Sequence, residues 1–316
     1  MSSNDIFEHY RSHTSFTEDD IADFHLYVQD PIETTDGLMA IAGLTINLLE
    51  NPWNEENLML MLTSCEGITP QAFERVIVGL LLVMITHDSH IRRDRVLLGE
   101  IQEVLTYAPE LSFTALSNIA RTTQMKQIER FNTQLAQELM PLMHDRASNE
   151  FYDIIRSRQN EMEHIAKLHL DQNFLIFREL YSTPFFREQA ANWLIPWSDE
   201  ALLNIDEEDR EDVNKLIQLW PMCDSDKYAL CHMYKSFKSL INSQLSIDSL
   251  QEVGLEMNGK AIITNGYVQQ LYRYFRLSSF AKAKPFDAAH SLRDLLVFRL
   301  VVVGELAQKA ICQLLV

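Results

Sequence analysis

Glycine and proline are scarce in this chain, nine of each in 316 residues. Tight hairpin turns depend on both, so their scarcity argues against an all-β protein. It also argues against a glycine-rich phosphate cradle, and neither G-x-G-x-x-G nor G-x-x-x-x-G-K-[ST] occurs. The nucleophile elbow G-x-S-x-G is absent as well. Four cysteines, Cys65, Cys223, Cys231 and Cys312, are too few and too scattered for a disulfide framework and read as reduced, buried, small apolar groups. Seven residues separate Cys223 from Cys231, which stands beside His232, whereas structural zinc sites space their cysteines by two to four; no metal and no cofactor are expected. No apolar run reaches the roughly 18 residues of a membrane span, and the longest, Val76 to Ile85, reads as a buried core helix. Positive charge is in deficit: 27 Lys and Arg face 45 Asp and Glu, a net charge of -18. Such a field repels nucleic-acid phosphates and anionic membranes, so only a local basic patch could hold either. Met1 to Tyr10 is polar and acidic with no apolar secretory stretch, and the expectation is a cytoplasmic address.

What is present is a folded, helical chain. Hydrophobic residues make up 47% and charged residues 23%, which excludes general disorder. At 316 residues the chain exceeds the usual single core, so two subdomains or an elongated array of helices are expected. Helix punctuation recurs. Thr17 with Asp20 makes a capping-box-like start before Ile21, Phe24 and Val28, and Pro31 closes that helix. Asp36 to Leu49 is apolar on most faces and stops at Asn51-Pro52; Asn54 can cap the next helix, and Thr69-Pro70 starts another. Pro31, Pro52, Pro70, Ser89 and Pro109 stand 21, 18, 19 and 20 residues apart. Two helices per roughly 38 residues is the period of stacked hairpins in tetratricopeptide, HEAT and armadillo arrays. Residues at matching places do not repeat, however, and an irregular α bundle stays open as the alternative. The expected fold is all-α, stacked helical hairpins in an α-solenoid or tetratricopeptide-like array. It divides into a subdomain over 1-147 and a second over 148-316. Phe151 to Tyr181, free of proline and glycine, predicts a long helix or tight helical hairpin, and Ser198 to Asp212, with eight acids against Arg210, a solvated connection.

Large aromatics gather where two prolines interrupt the helices: Pro184-Phe185-Phe186, Asn192-Trp193 and Pro196-Trp197. Phe185, Phe186, Trp193 and Trp197 are what a joint between packed helices requires, because each ring can bury apolar area against two elements at once. These residues, with Asp224-Ser225-Asp226-Lys227-Tyr228 and with Tyr267 to Phe275 followed by Pro285-Phe286, resemble the PFF/NW/PF, DSDKY and YIQDLYRFF-like boxes of a family of uncharacterised bacterial proteins carrying tetratricopeptide-type repeats. Trp197 stands where the family pattern has Phe. The resemblance covers roughly residues 150 to 290 and implies a helical fold and no particular reaction. It also implies helical repeats beyond this region, so the chain ending at Val316 would be a fragment or a short member.

Catalytic constellations lack their companions. His87-Asp88 is the adjacent pair of the HD phosphohydrolases, all-α enzymes whose His and Asp ligate metal with an upstream His and a downstream Asp. Here only His25 stands upstream and Asp145 or Asp153 downstream, and Arg92, Arg93 and Arg95 around Asp94 read as a solvated helix start. Glu161-x-x-His164 has the spacing of carboxylate-bridged di-iron bundles but no second copy, and reads as a surface pair.

The segment 260-286 stands apart electrostatically. Lys260, Arg273, Arg276, Lys282 and Lys284 meet no acid there and alternate with Tyr267, Tyr272, Tyr274, Phe275, Phe280 and Phe286. Stacking and counterion release make such an island the place for a phosphate, a nucleic-acid strand or an acidic peptide, with Tyr267, Arg273, Arg276, Lys282 and Lys284 as partner-binding candidates. The plainer reading places Val268, Leu271, Tyr272 and Phe275 on one buried helix face, with Arg273 and Arg276 neutralising the acidic stretch 198 to 212. The expected function is a non-catalytic helical scaffold binding a protein or peptide partner. The alternatives are a binder of nucleic acid or another anionic ligand through 260-286, and an enzyme of unrecognised type.

Overall fold

The computed structural model describes residues 1–122, 125–139, 153–154, 156–158, 171–219, 222–244 and 262–288, and among these every regular element is helical. The fold is all-α. Helices α1 (Ser3–Ser12), α2 (Glu18–Gln29), α3 (Thr34–Glu50), α4 (Glu55–Thr63) and α5 (Pro70–Thr86) come first. The short α6 (Asp88–Ile91), then α7 (Arg95–Tyr107), α8 (Pro109–Thr122) and α9 (Met125–Leu139) follow. Their starts are local chemistry. Thr17 Oγ1 accepts from the Asp20 amide while the Asp20 carboxylate takes the Thr17 amide at 2.8 Å, and Ser2 with Asp5 repeats the device at α1. Asn54 and Thr69 cap α4 and α5, with Pro70 in the first turn, where its missing N–H costs nothing.

Helix α3 is the centre of the N-terminal half. Every residue from Gly37 to Leu49 is buried, because α1, α2 and α5 pack around it. Glycine permits the approach: a Cβ at Gly43 would meet the Phe7 carbonyl oxygen of α1, and one at Gly37 would lie 2.5 Å from the Tyr27 carbonyl oxygen of α2. Asn47, buried in α3, donates to the Tyr10, Arg11 and His13 carbonyl oxygens at 3.0, 3.1 and 2.6 Å, satisfying acceptors that the end of α1 leaves open.

The second half is more broken. Asp171 caps α10 (Gln172–Phe177), a 3-10 turn spans Arg178–Ser182, α11 covers Pro184–Glu188, and another 3-10 turn covers Ala190–Trp193. Tyr181 therefore lies in a 3-10 turn and not at the end of an unbroken helix, one of the two forms, long helix or tight helical hairpin, expected over Phe151 to Tyr181. Asp171, with ψ near 87° and outside helical geometry, interrupts that run; most of residues 151–170, Glu161 and His164 among them, lie outside the described residues. The acidic stretch forms two 3-10 turns, Asp199–Asn204 and Glu207–Asp209, largely exposed but buried at Ala201 and Asp209, before α12 (Arg210–Leu219). Helices α13 (Asp224–Gln244), α14 (Ile262–Leu277) and α15 (Pro285–Ala288) complete the described chain.

Contacts run from α1 to α3, α3 to α5, α5 to α8 and α8 to α14, and α14 returns to touch α5. One hydrophobic core extends from Ile6 to Phe286. The boundary drawn at 147/148 falls outside the described residues, and the described elements on its two sides share that core. Among the described residues no helix is long and apolar enough to cross a membrane.

Candidate functional site

The aromatic joint is buried and hydrogen-bonded. Trp193 stacks on Tyr181 with centroids 5.0 Å apart and planes 7° off parallel, and lies 4.9 Å from Phe186. Its Nε1 donates to the Phe186 carbonyl oxygen at 2.8 Å, so the large ring buries no unpaired donor. Asn192 Nδ2 likewise donates to the Phe185 carbonyl oxygen at 2.7 Å. Half-buried Phe185 stacks on Tyr228 and His232 of α13, and half-buried Trp197 meets Tyr228 edge-on. The tyrosine closes the contact by donating to the Pro196 carbonyl oxygen at 3.0 Å.

Arg273 of α14 reaches the same centre. Its guanidinium donates to both Asp226 oxygens, Nε to Oδ1 and Nη2 to Oδ2, each at 2.7 Å, and Nη1 reaches Asp171 at 2.6 Å. The Arg273 and Asp226 side chains are 0% exposed and that of Asp171 7%. Tyr181 donates its hydroxyl hydrogen to Asp226 Oδ1 at 2.6 Å and sits 3.0 Å from Ser225 Oγ. Burial by itself would lower the guanidinium pKa, but Asp171 and Asp226 raise it well above the ordinary value. Burial raises the Asp226 carboxyl against the pull of Arg273, and raises the Tyr181 phenol, with Asp226 adding to it. The three segments picked out in the sequence, 184–197, 224–228 and 267–275, thus meet in one place.

The basic segment consequently divides. Tyr267 and Arg273 are buried, so a surface partner does not touch them in this conformation. The expected pairing of Arg273 and Arg276 with 198 to 212 is corrected. Arg273 takes Asp171 and Asp226, and Arg276, 45% exposed, holds Glu129 at 2.6 Å. Lys235 and Lys238 of α13 serve Asp206 and Asp209 instead, because α13 packs beside those turns. Lys282 and Lys284 are exposed beside a cavity of about 270 Å³ lined by Tyr272, Phe275, Arg276 and Phe286. Lys260 lies outside the described residues.

A cation that sequence reasoning missed is Arg75. It is buried in α5, donates Nη1 to the Leu38 and Leu194 carbonyl oxygens at 3.0 and 3.1 Å, and lies 4.5 Å from the Tyr267 ring centroid. It ties the N-terminal helices to the aromatic joint. Only the apolar run that follows it signals its depth.

His87 and Asp88 do not converge. His87 Nε2 donates to the Leu48 carbonyl oxygen at 2.7 Å and Asp88 pairs with Arg92. Among the described residues no three His, Cys, Asp or Glu side chains gather as a ligand set. Cys65, Cys223 and Cys231 are free thiols; burial pushes Cys65 and Cys231 up to about 12 and Cys223 higher still, leaving none activated as a thiolate.

A surface concavity lies elsewhere. A groove of about 570 Å³ runs between the start of α2 and the outer face of α4. Phe16 and Ile21 form one wall; Met59, Leu60 and Thr63 form the other; Glu55 and Glu56 stand at its end. Glu56, Met59 and Thr63 share one face because they follow at i, i+3 and i+7, while Leu58, Met61 and Leu62 turn to the core and Leu60, though it lines the groove, is buried as well. Ile21, which shares a helical stripe with buried Phe24 and Val28, is 39% exposed. The sequence could not separate an apolar residue on a core stripe from one on a groove wall. Comparison of the chain with protein-family models, with curated proteins and with solved structures finds no match.

Proposed function

We propose that this chain is a non-catalytic helical scaffold that binds a protein or peptide partner. The observation that supports the reading is the open, mostly apolar groove between α2 and α4, a concavity within the usual size range of ligand-binding clefts. A partner segment can lie along a groove between helices with its apolar side chains seated and its polar ones in water. The resemblance of the three segments to bacterial tetratricopeptide-type proteins accords with a binding role, and the polar, acidic Met1 to Tyr10 with a cytoplasmic setting. A second reading, an anionic ligand at the cavity beside Arg276, Lys282 and Lys284, rests on the three cations around it.

Affinity isolation of the tagged chain from its own cell, followed by mass spectrometry, tests the proposal when the Met59→Arg variant is run as a paired bait. A partner captured by the parent and lost by the variant is the expected result. A partner kept equally by both baits removes the groove from the reading. No partner above an untagged control removes the scaffold.

A further inference from the structure

We infer that the groove between α2 and α4 is built for one kind of occupant, a basic amphipathic helical segment of another protein. The inference rests on the scaffold reading and adds the chemistry of the partner.

Three observations carry it. The lining is mostly apolar: Phe16, Ile21 and Met59 are partly open to water and buried Leu60 adjoins them around about 570 Å³. That is room for a few large aliphatic or aromatic anchors, and methionine adapts its shape to whichever enters. Every charged side chain lining the groove is acidic, Glu55 and Glu56, with neither lysine nor arginine among the lining residues. The first turn of α2, between the wall residues Phe16 and Ile21 in sequence, adds the exposed Glu18 and Asp19, while Asp20 is taken by Thr17 and His9. An apolar trough lined by two acids, with two more in the adjoining turn, selects a partner with apolar side chains at i, i+3, i+4 and i+7 and with lysine or arginine flanking them. A second copy of this chain is disfavoured by the same charge, since each copy carries -18. An acidic helix would meet like charge at the groove.

The test uses the full chain and fluorescein-labelled peptides of about 18 residues, long enough to offer an apolar stripe of several turns. One peptide carries Leu at i, i+3, i+4 and i+7 with Lys elsewhere; a second has the same composition scrambled to destroy the stripe; a third replaces Lys by Glu. Fluorescence anisotropy should detect binding of the first alone, weakening as salt rises. Neutralising the rim with Glu55→Gln and Glu56→Gln should weaken it about three- to tenfold and make the salt dependence shallower. The same charge change at the exposed Glu207 and Glu208, which do not line the groove, should leave it within about twofold. Met59→Arg should abolish binding, and Ile21→Gln, at a position already partly in water, reports on the wall if that variant misfolds.

Equal binding of the scrambled peptide would reduce the effect to bulk charge, and equal binding of the acidic peptide would reduce it to apolar contact; either overturns the inference. A concentration-dependent dimer dispersed by Met59→Arg overturns it in favour of a second copy. Loss of all three peptides while affinity isolation still yields a groove-dependent partner would sink the basic-helix assignment and leave the scaffold reading intact.

Discussion

Arg273 and Asp226 face each other as a two-pronged pair, Nε to Oδ1 and Nη2 to Oδ2, both at 2.7 Å and both out of contact with water. Planar guanidinium and planar carboxylate match in this geometry, which fixes direction as well as distance. Removing two charges from water is costly, and the pair offsets that only because Asp171 and Tyr181 complete its hydrogen bonding. The pair therefore specifies how α13, α14 and the turn after α10 fit together. Breaking one side leaves a buried charge alone.

Two arginines three residues apart should behave oppositely. Arg273→Gln leaves Asp226 and Asp171 without a cation and should cost about 3 to 5 kcal/mol with little dependence on salt. Arg276→Gln removes an exposed partner of Glu129 and should cost about 0 to 1 kcal/mol, less as salt rises. Urea unfolding at low and high salt measures both. A small, salt-sensitive loss for Arg273→Gln would mean that the buried pair does not form.

Trp193 should matter by volume and by its nitrogen. Trp193→Ala empties the stack with Tyr181 and Phe186 and should cost about 3 to 5 kcal/mol. Trp193→Phe keeps much of the packing but strips the Phe186 carbonyl of its donor, for about 1 to 3 kcal/mol. Equal stability of Trp193→Phe and the parent in chemical denaturation would show that water replaces the indole N–H.

Glu74 gives the protein a pH response. Burial pushes its carboxyl up to about 7 against the opposing effect of Arg75, and Oε1 has no hydrogen-bond partner among the described residues. The folded state holds this proton more tightly than the unfolded chain, so this group's contribution to stability falls as pH rises from about 4.5 to about 7. Glu74→Gln should therefore stabilise the protein at pH 8 and change little at pH 5. Urea midpoints at the two values check it; a variant weaker than the parent at pH 8 would place Glu74 in an ion pair instead.

The helix starts were legible because they are local. Thr17 with Asp20, Asn54 and Thr69-Pro70 each state a start within four residues, and each start is where the chain shows it. The aromatic joint was legible for a related reason: rings of that size between prolines have few places to go but inward. The fate of Arg273 was not. Its partners stand 47 and 102 residues away, and the assumption that α14 has one wet face fails. Tyr267, Val268 and Gln270 to Phe275 are all buried, and Tyr274, off the expected apolar stripe, was the available hint that the helix is enclosed. The groove was illegible for a different reason, since its walls come from two helices whose adjacency no single stretch encodes.

The distance along the chain between Asp226 and its cation also bears on how the protein is made. A ribosome delivers residues in order at about 5 to 20 per second, so Arg273, 47 residues later, follows Asp226 by about 2 to 10 s. During that interval Asp171 and Asp226 lack the guanidinium that lets them leave water, and the pocket around Tyr181 has reason to stay open. Helices α1, α2 and α4 can meet α3 without that guanidinium, whereas buried Arg75 of α5 waits longer still, for the Leu194 carbonyl oxygen 119 residues on. Synthesis thus imposes an order on assembly: the first four helices can pack early, and the arrival of α14 lets the rest close.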